Sequence, residues 1–359
     1  MLRTRDAAET IVAEMRRLET VIVILALAFY AWFLSRFGTR EVLGYVRLAG
    51  WGLALTISLE AFARLANALG WWVTIGHHRE GLRFIPLFFA RIAGEAVDYV
   101  TPSAQLGGQF VMAMMVRRKL KMAVGLSTVI IAALCEMVGQ IAFITLALLS
   151  SIRLVPHQFV WAILGGLAIA RGLIGGFLYV QRKHPFSYLI AGAAKLPGLD
   201  ADESRESAAA ADAFLLDFYA HHRTQLVWSS LCYLLAWSLG PVEIFILLRL
   251  LHQPASLQIA LLVEAVGLLI ERATFLIPGK LVSQEGGKAL ILAMLGYPAG
   301  VGFAVGFLRR IKEIVWVLFG LLSLMIHRMR SGTEDANAEK IGVLDGPNRR
   351  LRMKAEESQ

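Results

Sequence analysis

Apolar runs long enough to cross a bilayer alternate with short polar stretches along this chain, and two of those runs are interrupted. A helix needs ~20 apolar residues to cross a ~30 Å hydrocarbon core. Runs of that kind predict spanning helices near 18–35, 48–72, 123–150, 157–180, 225–251 and 298–326. The interrupted runs, 84–116 and 257–295, share one plan. Each has an apolar stretch carrying acidic residues, then a proline (Pro102, and Pro278 followed by Gly279), a polar turn, a Gly-Gly pair (Gly107-Gly108, Gly286-Gly287) and a second short apolar helix. Lipid cannot satisfy broken backbone, so such breaks are tolerated only inside protein or beside a water-filled cavity. Paired interruptions in two halves of a chain point to a transporter's binding site. The predicted fold class is therefore all-α: a polytopic membrane helix bundle with two re-entrant broken-helix hairpins related by an inverted repeat.

The sequence carries further marks of that repeat. Gly125 precedes Glu136 by eleven residues and Gly302 precedes Glu313 by eleven, each in the long helix after a broken segment. Basic residues in short loops set orientation. The run Arg117, Arg118, Lys119, Lys121 is expected to be cytoplasmic, whereas 251–256 has no Lys or Arg and is expected outside. The loop 35–47, with Arg36, Arg40 and Arg47, faces outward against this rule. The resulting domain plan is a cytoplasmic N-terminal segment 1–17, a transmembrane domain 18–326 with a cytoplasmic loop 181–224, and a disordered cytoplasmic tail 331–359. Within the loop, 200–222 reads as an Ala-rich helix that lies on the membrane surface or packs on the domain through Phe214, Leu215 and Phe218.

Composition narrows the chemistry. Hydrophobic residues make up 57% of the chain and charged ones 18%, against roughly 25% charged in soluble domains. The net charge of +9 suits loops that border an anionic leaflet. Its basic residues are dispersed among membrane ends, so no nucleic-acid partner is expected. Cys135 and Cys232 lie in apolar runs and read as packing residues. The histidines show no metal-ligand spacing, and there is no Walker loop, Rossmann fingerprint or G-x-S-x-G elbow. No catalytic residue, metal or cofactor is assigned.

Charge inside the apolar runs is the informative feature. Arg91, Glu95 and Asp98 share one helical face, as do Glu60, Arg64 and Asn67. Glu264 and Glu271 share another, and Arg309, Lys312 and Glu313 one more, with Arg310 beside them. Each charge at a helix centre costs on the order of 2.5–3.5 kcal/mol on insertion scales. They must face one another, a cavity or a substrate. Glu285 and Lys288 sit in the turn and first turn of the second half-helix. Half-helix N-termini present unsatisfied N–H groups that suit phosphate or carboxylate. With Arg91, Lys288, Arg309 and Arg310 nearby, the expected cargo is an anionic headgroup on an apolar tail.

These residues resemble the flippase-like family typified by the transmembrane region of lysylphosphatidylglycerol synthases. The first family turn matches Pro102 through Gly108, ending in Arg117-Arg118; the second matches Pro278 through Glu285. Glu136 corresponds to the family's acidic residue in the following helix, and Arg309 or Arg310 to its arginine in the last. The chain departs from the pattern where Gly108 or Gln109 replaces a glutamate and Lys280 and Val282 replace glycines. The resemblance implies a lipid translocase or lipid-binding transporter in a bacterial inner membrane, without the soluble synthase portion, for an anionic or hopanoid-type amphiphile. Membrane lipids are the expected partners, with lipid-biosynthesis enzymes as further ones. Two other readings stand beside it: an accessory or scaffold subunit, and a membrane enzyme using Glu95, Asp98 or Glu285 as acid or base.

Overall fold

The computed structural model describes residues 44, 47–79, 81–100, 106–154, isolated positions between 161 and 179, 201–273 and 283–356, with side chains left aside at 77, 106, 201–208, 210, 272–273, 283–286, 299 and 331–356. Among these the chain is all-helical, with no strand. The main helices are α1 (Trp51–Ile75), α2 (Phe84–Val100), α3 (Leu106–Val116), α4 (Met122–Ser150), α5 (Ala201–His221), α6 (Arg223–Leu250), α7 (Leu257–Ala273), α8 (Ser283–Met294) and α9 (Ala299–Glu356). Three of them, α1, α4 and α6, are long and apolar enough to cross a membrane. The expected span at 298–326 lies in α9 and carries Arg309, Arg310, Lys312 and Glu313. The expected first span, 18–35, and the proline turns 101–105 and 274–282 lie outside the described residues, and 157–180 is described only at isolated positions.

Local chemistry explains the helix boundaries. Pro86 sits in the first turn of α2, where its missing N–H costs no intrahelical bond. After α8, Gly296 takes φ 87°. Its N–H bonds Ala293 O at 3.0 Å while Tyr297 N–H bonds Leu292 O at 3.0 Å, the two bonds of a Schellman stop. Pro298 follows and α9 begins. The stretch from 331, expected to be disordered, continues α9 as helix to Glu356. Extending an existing helix avoids a new nucleation step.

Helix packing joins two half-cores. Trp71, Leu87, Met112, Ile131, Leu215 and Tyr233 form one, drawn from α1 to α6. Ile244, Leu248, Val263, Leu292, Ala304 and Leu308 form the other, drawn mainly from α6 to α9. Helix α5 packs rather than lying apart: Leu215 and Phe218 are buried, and Ser127 Oγ of α4 donates to Ala211 O at 3.2 Å. Close approach relies on small residues, as in membrane bundles generally. A Cβ at Gly139 would stand 2.8 Å from both Ser230 O and Leu234 N. Phe62, Trp228, Leu235, Leu318 and Phe319 point outward.

The packing crosses between halves. Helix α2 rests on α9, where Ser323 Oγ donates to Phe89 O at 3.3 Å and Gly320 lies against Ile92 O. Helix α7 rests on α4, sharing a core of Phe143, Ile144, Leu148, Leu262 and Leu268. Each broken segment thus sends its first arm to the long helix that follows the other one.

Candidate functional site: an ion chain between the two broken segments

The buried charges of the apolar helices assemble into one alternating chain. It starts at Glu136 of α4, whose Oε2 accepts from Arg91 Nη2 at 2.7 Å. Arg91 Nε donates to Glu95 Oε1 at 2.7 Å, and Glu95 in turn accepts from Arg64 of α1. Arg64 Nη2 lies 3.1 Å from Glu60 Oε1. Lys312 of α9 bridges onward, 2.8 Å from Glu60 Oε2 and 2.8 Å from Glu243 Oε2 of α6. Arg309 closes the chain. Its Nε is 3.2 Å from Glu243 Oε2, without hydrogen-bond geometry, while its two terminal nitrogens fork onto Glu264 of α7. Nine side chains from five helices plus α4 are linked in this way among the described residues.

Physical chemistry demands such an arrangement. Each ion removed from water carries an effective penalty of several kcal/mol, repaid only by well-placed partners. Alternating signs give every interior member two partners. The aromatic rings add a second, weaker contact: the Arg64 guanidinium lies 5.2 Å from the Trp316 centroid and that of Arg91 lies 5.6 Å from Tyr233. Gly240 lets Glu264 lie against α6, since a Cβ there would come 2.6 Å from Glu264 Oε1.

The two terminal pairs of the chain are alike in spacing, with acid and base exchanged between arm and long helix. Arg91 and Glu136 are 45 residues apart, and so are Glu264 and Arg309. In each case the first arm of a broken segment pairs with the long helix that follows it.

Other predicted residues form three smaller contacts. Lys288 of α8, buried, lies 3.3 Å from Glu271 of α7. Asp98 Oδ1 accepts the Gly108 N–H at 2.7 Å, tying the end of α2 to the first turn of α3. Arg310 reaches Glu313 at 3.2 Å and also donates to the Tyr99 hydroxyl, which itself donates to Glu313 at 3.1 Å.

The structure corrects parts of the sequence-based picture. Arg309, Lys312 and Glu313 do not work as one face: Arg309 and Lys312 enter the long chain, while Arg310 and Glu313 turn to Tyr99. Positions three apart pair in each case, because ~100° per residue separates positions 309 and 310. Arg91 does not stand at the start of α3; Asp98 occupies that place, and Gly107 and Gly108 lie beneath it in the first turn. The bases expected to hold an anion are already engaged by carboxylates. Pro102, Pro278 and Gly279 lie outside the described residues, and Glu285 belongs to α8 with its side chain left aside. Glu243 was missed as a site residue, although a lone carboxylate in an otherwise apolar span is itself a signal. Tyr99 carried no sequence signal, and Glu60, Arg64 and Lys312 were noted only as sharing helical faces.

Exposure varies along the chain. The carboxylate side chains of Glu60, Glu95 and Glu136 are 21%, 24% and 28% exposed, whereas those of Arg91 and Lys312 are 7% and 4%. In this first half of the chain the acids border accessible space and the bases sit behind them, whereas in the second half the order reverses, with Glu243 and Glu264 at 3% and 4% and Arg309 at 12%. One landmark orients the bundle. Burial, together with Arg118 and Arg117, lowers the pKa of His327, which places the end of the apolar part of α9 beside the basic end of α3.

No curated protein and no solved structure matches the chain. A family match covers residues 19–321, and it takes in every residue of the ion chain and both broken segments. This protein belongs to the membrane family described as the lysylphosphatidylglycerol synthase TM region.

Proposed function

We propose that this protein is a lipid translocase of a bacterial cytoplasmic membrane, in which two hairpins related by an inverted repeat pass a charged headgroup through the bundle. The observation that carries the reading is the ion chain, which runs from the first arm of one broken segment to the first arm of the other. Partners repay the desolvation of each ion, so the chain also fastens helices; its continuity from one broken segment to the other is what favours passage of a charged head over a scaffold role.

The repeat is supported by matched contacts. Gly125, in the first turn of α4, packs on Ala113 of α3 at 3.6 Å, and Gly302, in the first turn of α9, packs on Ala289 of α8. The first arms match too: Asp98 lies four residues after Gly94, and Glu271 four after Gly267. Both carboxylates reach the second arm of their own segment. The equal 45-residue spacing of the two pairs fits halves built on one plan. His327 beside Arg117 and Arg118 fits a cytoplasmic end for α9 and for the first hairpin.

The headgroup follows from charge balance. A purely anionic head that took Arg91 would strand Glu136 or Glu95, at a cost of about 3–5 kcal/mol for a broken buried pair. A head carrying phosphate and ammonium together replaces both partners at once. The lipid after which the family is named has both groups. An anionic lipid remains compatible where a proton neutralises the displaced carboxylate. No catalytic residue is assigned in this reading.

The test is transbilayer movement in proteoliposomes carrying fluorescent phosphatidylglycerol or its lysyl ester, read by chemical quenching of the outer leaflet. Movement of the mixed-charge lipid faster than in protein-free vesicles is expected, with loss in Arg91→Gln. Wild-type protein that moves neither lipid, nor the lipid that co-purifies with it in mild detergent, would overturn the reading and leave an accessory subunit in its place.

A further inference from the structure

We infer that Asp98 is a proton-binding site that couples opening of the first hairpin to a proton gradient. The transport role rests on the translocase reading; the proton site itself does not.

Asp98 differs from the other carboxylates of the bundle centre. Glu60, Glu95, Glu136, Glu243, Glu264, Glu271 and Glu313 each face an arginine or lysine. Asp98 is ion-paired with no base among the described residues; its partner is the Gly108 N–H. The carboxylate lies flat on the α3 backbone. A Cβ at Gly108 would collide with the Asp98 carboxyl group and with Gly94 O, so α2 and α3 meet backbone to backbone at this level. Asp98 is thus the latch of the pair.

The charged groups around it explain why a proton is its natural ligand. On α2 these are Arg91 and Glu95, and on α4 Glu136; Arg91 is held between those two acids. Helix α3 brings no titratable side chain in Leu106–Val116. On α1, Arg64 and Glu60 belong to the ion chain, and on α9 Arg310 and Glu313 are engaged with Tyr99. Among the described residues, the bases near Asp98 are each engaged by another carboxylate.

Protonation changes the latch in a definite way. A proton from water on one side binds Oδ2, and the charge-assisted bond from Gly108 N–H becomes a neutral one of roughly half the strength. The attraction between the carboxylate and the positive end of α3 is lost as well. Helix α3 is then released from α2, and the proton leaves toward the other side before the latch re-forms. The second segment differs among its described residues. Glu271, at the matching place, meets the Lys288 ammonium at 3.3 Å, which supplies the countercharge a proton would otherwise supply. Proton binding therefore loosens one hairpin and leaves the other closed.

Amide hydrogen exchange of the full chain in nanodiscs, corrected for intrinsic pH dependence, reads the latch directly. In wild type, protection of the α3 amides should fall by up to ~10-fold per pH unit on going from about pH 8 to about pH 5. Asp98→Asn keeps an acceptor but cannot titrate, so its α3 protection should be low and independent of pH. Glu271→Gln should leave the pH dependence of α3 unchanged. PH-independent α3 protection in wild type overturns the proposal without any variant, and so does pH-dependent protection surviving in Asp98→Asn. Vesicles with an imposed pH gradient separate the two readings. If lipid moves in wild type at a rate indifferent to the gradient, the proton site falls and the translocase stands. If no lipid moves while α3 protection still titrates through Asp98, the translocase falls and the proton site stands.

Discussion

Lys312 is the middle link of the ion chain, and removing its charge tests whether the chain holds the bundle together. Its ammonium sits 2.8 Å from Glu60 and 2.8 Å from Glu243. At an effective dielectric of about 20, each contact has a gross Coulomb energy of about 6 kcal/mol, most of it offset by desolvation. Lys312→Met keeps the bulk and deletes the charge. Glu60 then retains Arg64 at 3.1 Å, and Glu243 retains Arg309 at 3.2 Å. Because neither acid is stranded outright, the expected loss is about 3 kcal/mol, the low end for breaking a buried pair. At ~2–4 °C per kcal/mol, the apparent melting temperature in mild detergent should drop by ~6–12 °C. Adding Glu243→Gln removes the more deeply buried of the two acids and should recover part of that loss. A single variant melting within ~1 °C of wild type refutes the reasoning. So does a double variant whose losses simply add, since members of one network are expected to couple.

Three shorter predictions follow from other contacts. Arg91→Gln should weaken retention of the co-purifying lipid and lower the melting temperature, measured on one preparation, more than Lys288→Gln does, because Arg91 serves two carboxylates and Lys288 one. The Tyr233 hydroxyl is buried without a hydrogen-bond partner among the described residues; Tyr233→Phe should therefore be neutral or stabilising by up to ~1–3 kcal/mol in thermal melts. Gly302→Ala should destabilise by ~1–3 kcal/mol because its Cβ would stand 2.5 Å from Ala289 Cα, whereas Gly125→Ala, with 3.6 Å of room, should be neutral or gain up to ~1 kcal/mol of helix propensity.

Much of this arrangement was legible in the sequence because charge in an apolar run stands out. Arg91, Glu95, Glu136, Glu264 and Arg309 were visible as residues that had to face something polar, and the helical spacing gave pairs such as Glu60–Arg64. Partners distant along the chain were not legible. Lys312 and Glu60 are 252 residues apart, and no local pattern joins them. The same blindness produced the expectation of open anion-binding bases. Spacing shows that Arg91 and Lys288 are buried and basic, but only the fold shows that Glu136 and Glu271 have reached them first.

That pairing changes how recognition must work. Five carboxylates and four bases leave the chain with one net negative charge, and around Arg91 the acids Glu95 and Glu136 lie toward accessible space with the base behind them. A headgroup therefore meets carboxylates before it meets Arg91, and it gains a base only by replacing an acid. Such an exchange conserves charge when the incoming head carries both signs, or when an anionic head arrives with a proton for the displaced acid. Either route makes the internal carboxylates competitors of the cargo. Glu136→Gln should then hold an anionic lipid more tightly than wild type, since Arg91 loses a rival. A lipid-retention measurement finding weaker binding of phosphatidylglycerol in Glu136→Gln, with the fold intact by melting, would show that Glu136 contacts the cargo directly rather than competing with it.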